Sequence, residues 1–197
     1  MPRTASIQRK TNETNVDLTL NLDGGSYRNQ TGVGLLDHML DHIARHGGFG
    51  LNVKASGDTH IDGHHSVEDV GIVLGQAVNE ALGDKIGIER YGDAAVPMDE
   101  ALARVAIDLS GRSALVFKVD FRQFGADPAA IGHFDVQLIQ EFFIAVANNG
   151  RMNLHIEVPW GENNHHIAEA IFKAFGRALR RAVTITGDEV PSTKGML

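Results

Sequence analysis

The sequence predicts an α/β protein of the α+β type. It contains an internal duplication of a strand–helix–strand–helix unit, and we expect each half to form a mixed β-sheet with helices packed on one face. Three observations predict this class. Several short segments alternate apolar and polar residues, as half-buried strands do. Other segments carry apolar residues at i, i+3, i+4 and i+7, as helices with one buried face do. Both kinds of segment occur in the same order in the two halves of the 197-residue chain.

In the first half we predict a strand, a helix, a second strand and a second helix. Residues 15–22 alternate strictly and form the first strand. A helix from about Leu35 to His46 follows, because its apolar residues share one face and glycines close it. Residues 49–55 alternate again, and a loop then leads into a helix from about His65 to Leu82.

The second half follows the same course. Its first two strands cover residues 105–109 and 115–121, and with Gly111-Arg112 as the turn between them we expect a hairpin. A helix, a strand and a helix then follow over about residues 134–147, 152–158 and 165–183.

Short identities support the duplication. The motif HHxxE begins at His64 and again at His165, 101 positions later. Gly34-Leu35-Leu36-Asp37 resembles Gly132-His133-Phe134-Asp135, 98 positions later. We therefore predict one domain over residues 1–197, made of two pseudo-repeats at about 12–88 and 89–190 and a short C-terminal tail.

Composition excludes several classes of function. The 18 Lys and Arg residues against 25 Asp and Glu residues give a net charge of −7, which disfavours a broad nucleic-acid surface. A small phosphorylated ligand remains possible, because it needs only a few local cations. The chain has no cysteine, so disulfides and thiolate zinc sites are excluded. No apolar run is long enough for a membrane span, and no secretory signal is visible, so we expect a cytoplasmic protein.

The histidines carry the strongest chemical signal, since ten are present and HHxxE occurs twice. At the start of a helix, His64 and Glu68 share a face, whereas His65 lies about 100° further round. Two adjacent helical histidines suit two different ions, or one ion at an interface. A single HHxxE is equally well explained by capping or solvated residues, but its repetition argues for two quasi-equivalent metal positions.

The first helix adds His38, His42 and His46, which form a stripe beside its apolar face. The matching helix of the second half carries Glu141, which is either a ligand or a surface acid. Imidazoles with a few carboxylates suit Mn²⁺, Fe²⁺ or Zn²⁺, and six to eight ligands shared by two ions favour octahedral Mn²⁺ or Fe²⁺ over tetrahedral Zn²⁺.

Five sequence blocks, in order along nearly the whole chain, resemble the imidazoleglycerol-phosphate dehydratase family. They are Leu36-Asp37-His38-Met39-Leu40, Gly63 to Gly71, Asp108 to Arg112, His165 to Phe175, and Pro191 to Gly195. The resemblance implies a hydro-lyase of histidine biosynthesis that converts D-erythro-imidazole-glycerol phosphate to imidazole-acetol phosphate. It also implies a duplicated α/β fold and two Mn²⁺ per active site. Trimers would build a 24-subunit shell with active sites between subunits.

The resemblance also implies roles for individual residues. Metal ligation is carried onto His38, His64, His65, Glu68, His165, His166 and Glu169. Glu141 stands where many members have a further His ligand, and a carboxylate can replace imidazole at Mn²⁺. His42 stands where Gln is common. The positions implied for substrate or phosphate are Glu13, His42, His46, Arg90, Arg112, Lys173, Ser192 and Lys194. Lys173 is also placed to pair with Glu169, four residues earlier on the helix.

The implied reaction explains the need for metal. The hydroxyl that is lost lies on the carbon next to the imidazole ring and the proton that is lost lies on the neighbouring carbon, so the ring itself must accept electron density. Ions on both ring nitrogens would hold it as an imidazolate and stabilise the developing charge. A proton carrier must then reach the side chain, and Glu13, His46 and Glu169 are the candidates.

Two other functions use the same residues. A binuclear metallohydrolase would act on a phosphorylated small molecule through a metal-bound water, and would release phosphate. A non-enzymatic metal store would also use paired His and Glu residues. Ferritin-like stores need four long helices, however, and the alternating strands argue against that fold.

Overall fold

A computed structural model of the chain describes residues 3–121 and 129–197. The first half contains β1 (Thr4–Lys10), β2 (Thr14–Asn21), β3 (Tyr27–Gln30), α1 (Gly34–Gly47), β4 (Gly50–Gly57) and α2 (His64–Leu82). The second half contains β5 (Tyr91–Met98), β6 (Ala101–Asp108), β7 (Ala114–Lys118), β8 (Ala130–Ile131), β9 (Phe134–Asp135), α3 (Gln137–Gly150), β10 (Asn153–Trp160) and α4 (Asn164–Val183). Within the described ranges, no helix has the length and apolar character that crossing a membrane requires.

Each half forms a four-stranded mixed sheet, which confirms the predicted fold class. The strand orders are β1-β2-β4-β3 and β5-β6-β10-β7. In both sheets the last strand, β3 or β7, is parallel to its neighbour, and the other pairs are antiparallel. Inward residues of the central strands, such as Val16, Leu18 and Leu20 of β2, are fully buried, because the helices cover one face of each sheet.

The predicted hairpin over residues 105–109 and 115–121 is wrong. Strand β10 lies between β6 and β7 and pairs with both of them. Residues 109–113 therefore span the width of one strand rather than making a tight turn. Alternation shows that a segment is a strand, but it does not show which strand pairs with which.

The predicted match of residues 34–37 with residues 132–135 in the repeat is also wrong. The bounds of α1 and α3, and those of β4 and β10, differ by 103 positions rather than 98. Gly132 to Asp135 lies in the small β8–β9 hairpin that precedes α3. The strands β1, β3 and β5 were not predicted, because they are edge strands with small or polar residues and partly exposed faces.

The helices of the two halves pack in cross-half pairs between the two sheets. Helix α1 packs against α4, and α2 packs against α3. Helix α2 also covers β1 and β2, whereas α4 covers β5 and β6. Phenylalanine rings from α3 and α4, with centroids 4.9–5.3 Å apart, fill the centre. This pairing decides the composition of the candidate site, because it brings α1 of one half against α4 of the other.

Candidate active site

Glu169 is the centre of the densest polar cluster on the α1–α4 contact. Its Oε1 lies 3.0 Å from Nε2 of His38 and 3.0 Å from Nε2 of His165. Its Oε2 accepts a hydrogen bond from Lys173 Nζ at 2.6 Å and lies 3.3 Å from His42 Nε2. The sequence predicts all five of these residues for the site, with Lys173 either as a substrate contact or as the ion-pair partner of Glu169. Helical spacing brings His165 and Lys173 to Glu169, whereas His38 and His42 reach it only through the cross-half packing of α1 on α4.

The charges of this cluster are set by opposing effects. Burial raises the pKa of Glu169, but the hydrogen bonds from Lys173, His38 and His165 outweigh it, and the net pKa lies well below its usual range. Burial also lowers the pKa of His42 and of His46. Glu169 is therefore a carboxylate at neutral pH, and both imidazoles are neutral and offer lone pairs.

The stripe predicted on the first helix is present on α1. The ring centroids of His38 and His42 are 4.4 Å apart, and those of His42 and His46 are 5.6 Å apart. The apolar residues beside the stripe, Leu36, Met39, Leu40 and Ile43, are buried. The helix therefore presents imidazoles at the edge of the core.

A second polar cluster surrounds His65 at the start of α2. Asp58 Oδ1 and Oδ2 lie 3.2 and 3.0 Å from His65 Nδ1, and Glu13 Oε2 lies 3.7 Å from the same nitrogen. The hydrogen bond to Asp58 raises the pKa of His65. Sequence reasoning missed Asp58, because it lies in an irregular loop and belongs to no motif.

The second half has a comparable contact at His166. Its Nδ1 lies 2.7 Å from Glu100 Oε2, and Oε1 of Glu100 accepts from the backbone N–H groups of Glu162 and Asn163. The hydrogen bond from His166 is the main cause that lowers the pKa of Glu100 to about 2. Sequence reasoning missed Glu100 too, since it lies 66 positions before the histidine.

The adjacent histidines of α4 point to different partners. His165 contacts Glu169, whereas His166 contacts Glu100. The side chain of Asn163 accepts from the backbone N–H groups of both, and so it caps α4. In the first half, Asp62 accepts from the backbone N–H of His64 at 2.8 Å.

The remaining predicted ligands lie apart from these clusters. His64 and Glu141 line an open cleft of about 670 Å³ with Leu35, Ile61 and Leu138. Glu141 occupies the position on α3 that His38 occupies on α1. Glu68 is exposed, and its side chain makes no hydrogen bond or ion pair with the described residues. One chain thus places its predicted ligands in several groups.

The residues predicted for phosphate lie around the C-terminal tail. Arg90 Nε donates to Asp108 at 2.7 Å, and Arg90 Nη1 donates to the carbonyl of Pro191 at 2.8 Å. The end of the tail, Leu197, packs against Gly111, beside the exposed side chain of Arg112. Ser192 and Lys194 belong to a turn closed by the Gly195 N–H and the Ser192 carbonyl.

The donor groups fit a divalent cation. Ligand atoms of His38, His42 and Glu169 lie within 4.8 Å of one another, and so do those of Glu13, Asp58 and His65. Imidazole with carboxylate and no thiolate suits borderline or hard ions such as Zn²⁺, Fe²⁺ or Mn²⁺.

Comparison with known proteins places the chain in a family. The family model described as imidazoleglycerol-phosphate dehydratase matches residues 31–179. Proteins of that name from Hydrogenovibrio crunogenus and Nitrosomonas eutropha are 57% and 58% identical to the chain, covering 99% of it and 100% of each relative. The chain belongs to the imidazoleglycerol-phosphate dehydratase family.

Solved structures of the family agree with this assignment. The imidazoleglycerol-phosphate dehydratase of Staphylococcus aureus superposes with a TM-score of 0.83 at 42% identity, covering 93% of this chain and 99% of that one. The enzyme of Pyrococcus furiosus, solved in complex with (S)-C348, gives 0.84 at 37% identity, covering 97% and 100%. The predicted family and its enzyme class, a carbon–oxygen hydro-lyase, are confirmed. Membership and the donor groups together indicate a metal-dependent enzyme of histidine biosynthesis.

Proposed function

We propose that the chain dehydrates D-erythro-imidazole-glycerol phosphate to imidazole-acetol phosphate, with two Mn²⁺ in each active site. The observation that carries the proposal is the convergence of His38, His42 and His165 on the Glu169 carboxylate. It occurs in a chain that is 57% identical to a dehydratase of this name along its whole length.

The proposed metal ligands are the histidines and glutamates that surround the helix starts and the α1–α4 contact. They are His38, His64, His65, Glu68, Glu141, His165, His166 and Glu169. When bound, the ions would supply positive charge to the substrate ring while it takes up electron density. Three ligand atoms, His38 Nε2, His165 Nε2 and Glu169 Oε1, already face one another in one chain.

Glu13 is the residue that we propose to move the proton. Its carboxylate is 3.7 Å from His65, beyond hydrogen-bond distance, and its side chain is 55% exposed. It is therefore near the metal cluster and yet free to turn toward a substrate. Glu169 is held by four contacts, and a neutral His46 lies further along the α1 stripe, so both are weaker candidates.

We assign phosphate binding to Arg112, Ser192 and Lys194. Arg112 and Lys194 are exposed cations, and the contact of Leu197 with Gly111 places the end of the tail beside Arg112. Arg90 is already bound to Asp108 and to the Pro191 carbonyl, so its proposed part is to hold the tail in place. Lys173 is paired with Glu169 and neutralises its charge.

We also propose that the active site is shared between chains. In one chain, the cleft with His64 and Glu141 is a different group from the Glu169 cluster, and each holds only part of the ligand set. A second copy would complete both groups. The proposed assembly is a homo-oligomer, with trimers building a 24-subunit shell. We place the reaction in the cytoplasm, because the relatives are biosynthetic enzymes.

Product analysis tests this function. Purified protein is stripped of metal, checked by elemental analysis, and incubated with imidazole-glycerol phosphate before and after addition of Mn²⁺. We expect no turnover without metal, and the ketone without release of phosphate once Mn²⁺ is added. Release of inorganic phosphate would instead identify the metallohydrolase. Full turnover by the metal-free protein would contradict the proposed metal dependence.

A further inference from the structure

The second histidine of each HHxxE motif is bound at the same ring atom by a carboxylate. In the first half, Asp58 contacts Nδ1 of His65 at 3.0 Å. In the second half, Glu100 contacts Nδ1 of His166 at 2.7 Å. Within residues 3–121 and 129–197, neither Nε2 atom has a hydrogen-bond partner, and Nε2 of His166 is 3.6 Å from Asp99.

These contacts determine which ring nitrogen can bind a cation. An ionised carboxylate only accepts hydrogen bonds, so Nδ1 must carry the hydrogen in both rings. In the neutral imidazole, the lone pair is then on Nε2. A carboxylate behind the ring also fixes its orientation and increases the basicity of the other nitrogen.

The fold holds both carboxylates in place. Asp58 follows Gly57, whose backbone packs so closely on the Ser66 side chain that a Cβ there would overlap it. The end of β4 is therefore held against α2, one residue from His65. Glu100 is held by the backbone N–H groups of Glu162 and Asn163, at 3.1 and 2.8 Å, in the loop that leads into α4.

The two carboxylates come from different places in the repeat. Glu100 lies in the β5–β6 turn, and the equivalent β1–β2 turn carries Glu13. Asp58 comes instead from the loop between β4 and α2. The same contact thus arises twice by different routes. One consequence is that Glu13, unlike Glu100, has no hydrogen bond to its histidine.

We propose that Asp58 and Glu100 are positioning residues that hold His65 and His166 with Nε2 directed at the metal ions. This inference rests on the proposed function, in which both histidines are ligands. It assigns Asp58 a second effect, because its contact with His65 leaves Glu13 available to the substrate.

The test measures the affinity of the assembled protein for Mn²⁺ by competition with a chelator. We expect Asp58→Ala and Glu100→Ala each to weaken binding about 10- to 100-fold. Asp58→Asn and Glu100→Gln should lose less Mn²⁺ affinity, because the amide oxygen still accepts a hydrogen bond from Nδ1. Glu162→Ala is the matched control. It removes an acid from the same loop as Asn163 and should change the affinity less than about twofold, since within the described residues its side chain makes no hydrogen bond or ion pair with a histidine.

Cobalt substitution separates a positioning residue from a ligand. The visible absorption of Co²⁺ depends on the number and type of its ligands. We expect unchanged spectra for Asp58→Asn and Glu100→Gln. A changed spectrum for either variant, with affinity as low as in the Ala variant, would make that residue a direct ligand and overturn the inference.

The histidine variants show which proposal fails if affinities do not change. If His65→Ala and His166→Ala lose Mn²⁺ while Asp58→Ala and Glu100→Ala keep wild-type affinity, the positioning role is wrong and the metal site stands. If the histidine variants also keep full affinity, the proposed metal site itself is wrong. Circular dichroism of each variant shows that it is folded, and the Asn and Gln variants provide the test if the Ala variants are not.

Discussion

At the scale of single residues, the buried Glu169 carboxylate joins three imidazoles and one ammonium group. Replacing it with Gln keeps the shape and removes the charge. We expect Glu169→Gln to lower kcat at least about 100-fold and to weaken Mn²⁺ binding, because the imidazoles lose a charged co-ligand.

The measurement compares kcat, KM and bound manganese for Glu169→Gln and Lys173→Met. The second variant removes the cation but none of the proposed metal ligands, so its manganese content should stay close to wild type. Normal turnover and metal content in Glu169→Gln would exclude this cluster from the active site.

The proposed phosphate site contains two exposed cations that lie outside both histidine clusters. We expect Arg112→Ala and Lys194→Ala each to weaken substrate binding about 10- to 100-fold, since each removes a charge-assisted contact of roughly 1.5–3 kcal/mol. KM should rise, whereas bound manganese and Tm should stay unchanged, because neither residue contributes to the core. If Lys194→Ala changes no parameter, the tail does not contact the phosphate.

At the scale of secondary-structure elements, glycines allow the cross-half helix pairs to pack closely. A Cβ on Gly75 of α2 would lie 2.7 Å from both the Gly150 nitrogen and the Val146 carbonyl oxygen of α3. Backbone atoms cannot move aside as a flexible side chain can. We expect Gly75→Ala to destabilise the protein by about 1–3 kcal/mol or more, measured by denaturant unfolding.

Gly34→Ala is the control for this prediction. Nothing lies within 4 Å of a Cβ at Gly34 in the first turn of α1, so we expect neutral or slightly increased stability there. Equal effects of the two substitutions would show that α2 and α3 are not in backbone contact.

One ion pair joins the start of β1 to the turn after β2, and it has a defined pH dependence. Arg3 Nε donates to Asp23 at 3.0 Å, and the hydrogen bond from Arg3 is the main cause that lowers the pKa of Asp23. An acid whose pKa is lowered by folding stabilises the folded state at pH values above its pKa in the unfolded chain. This stabilisation is lost as the pH falls through its lower pKa in the folded protein.

Asp23→Asn should therefore lower the free energy of unfolding by less than about 1 kcal/mol near pH 7, because the Asp23 side chain is 45% exposed. The difference from wild type should be constant down to about pH 4.5 and should narrow below about pH 4. Unfolding by denaturant at several pH values checks this. If the difference in unfolding free energy between the variant and wild type instead grows at low pH, the ion pair does not stabilise the ionised form of Asp23.

At the scale of the whole molecule, metal and assembly should be linked. If ions complete their coordination with ligands from two chains, removing them takes away free energy that favours the assembly. We expect chelation to shrink the particle toward trimers of about 64 kDa, given 21.3 kDa per chain, and Mn²⁺ to restore it. Analytical ultracentrifugation measures this. A monomer whose mass does not depend on metal would exclude both the shared site and the shell.

The sequence by itself determined the local structure and the kind of chemistry. Periodicity located the four helices of the described residues to within three residues at either end, because a helix buries one face and its pattern is local. The twofold HHxxE motif, the α1 stripe and the pairing of Lys173 with Glu169 follow from spacing along a helix. The family was likewise determined by ordered blocks of residues, and comparison with known proteins confirmed it.

Only the tertiary structure decided which elements meet. Glu169 meets His38 across 131 positions, and Glu100 meets His166 across 66, so no helical or strand period relates these residues. The position of β10 between β6 and β7 could likewise not be predicted from the sequence. Alternation shows which face of a strand is buried, but not which strand lies beside it. Which element packs on a given buried face is determined by the packing of the whole chain. Asp58 and Glu100, which lie in loops and turns, therefore became visible only in the folded protein.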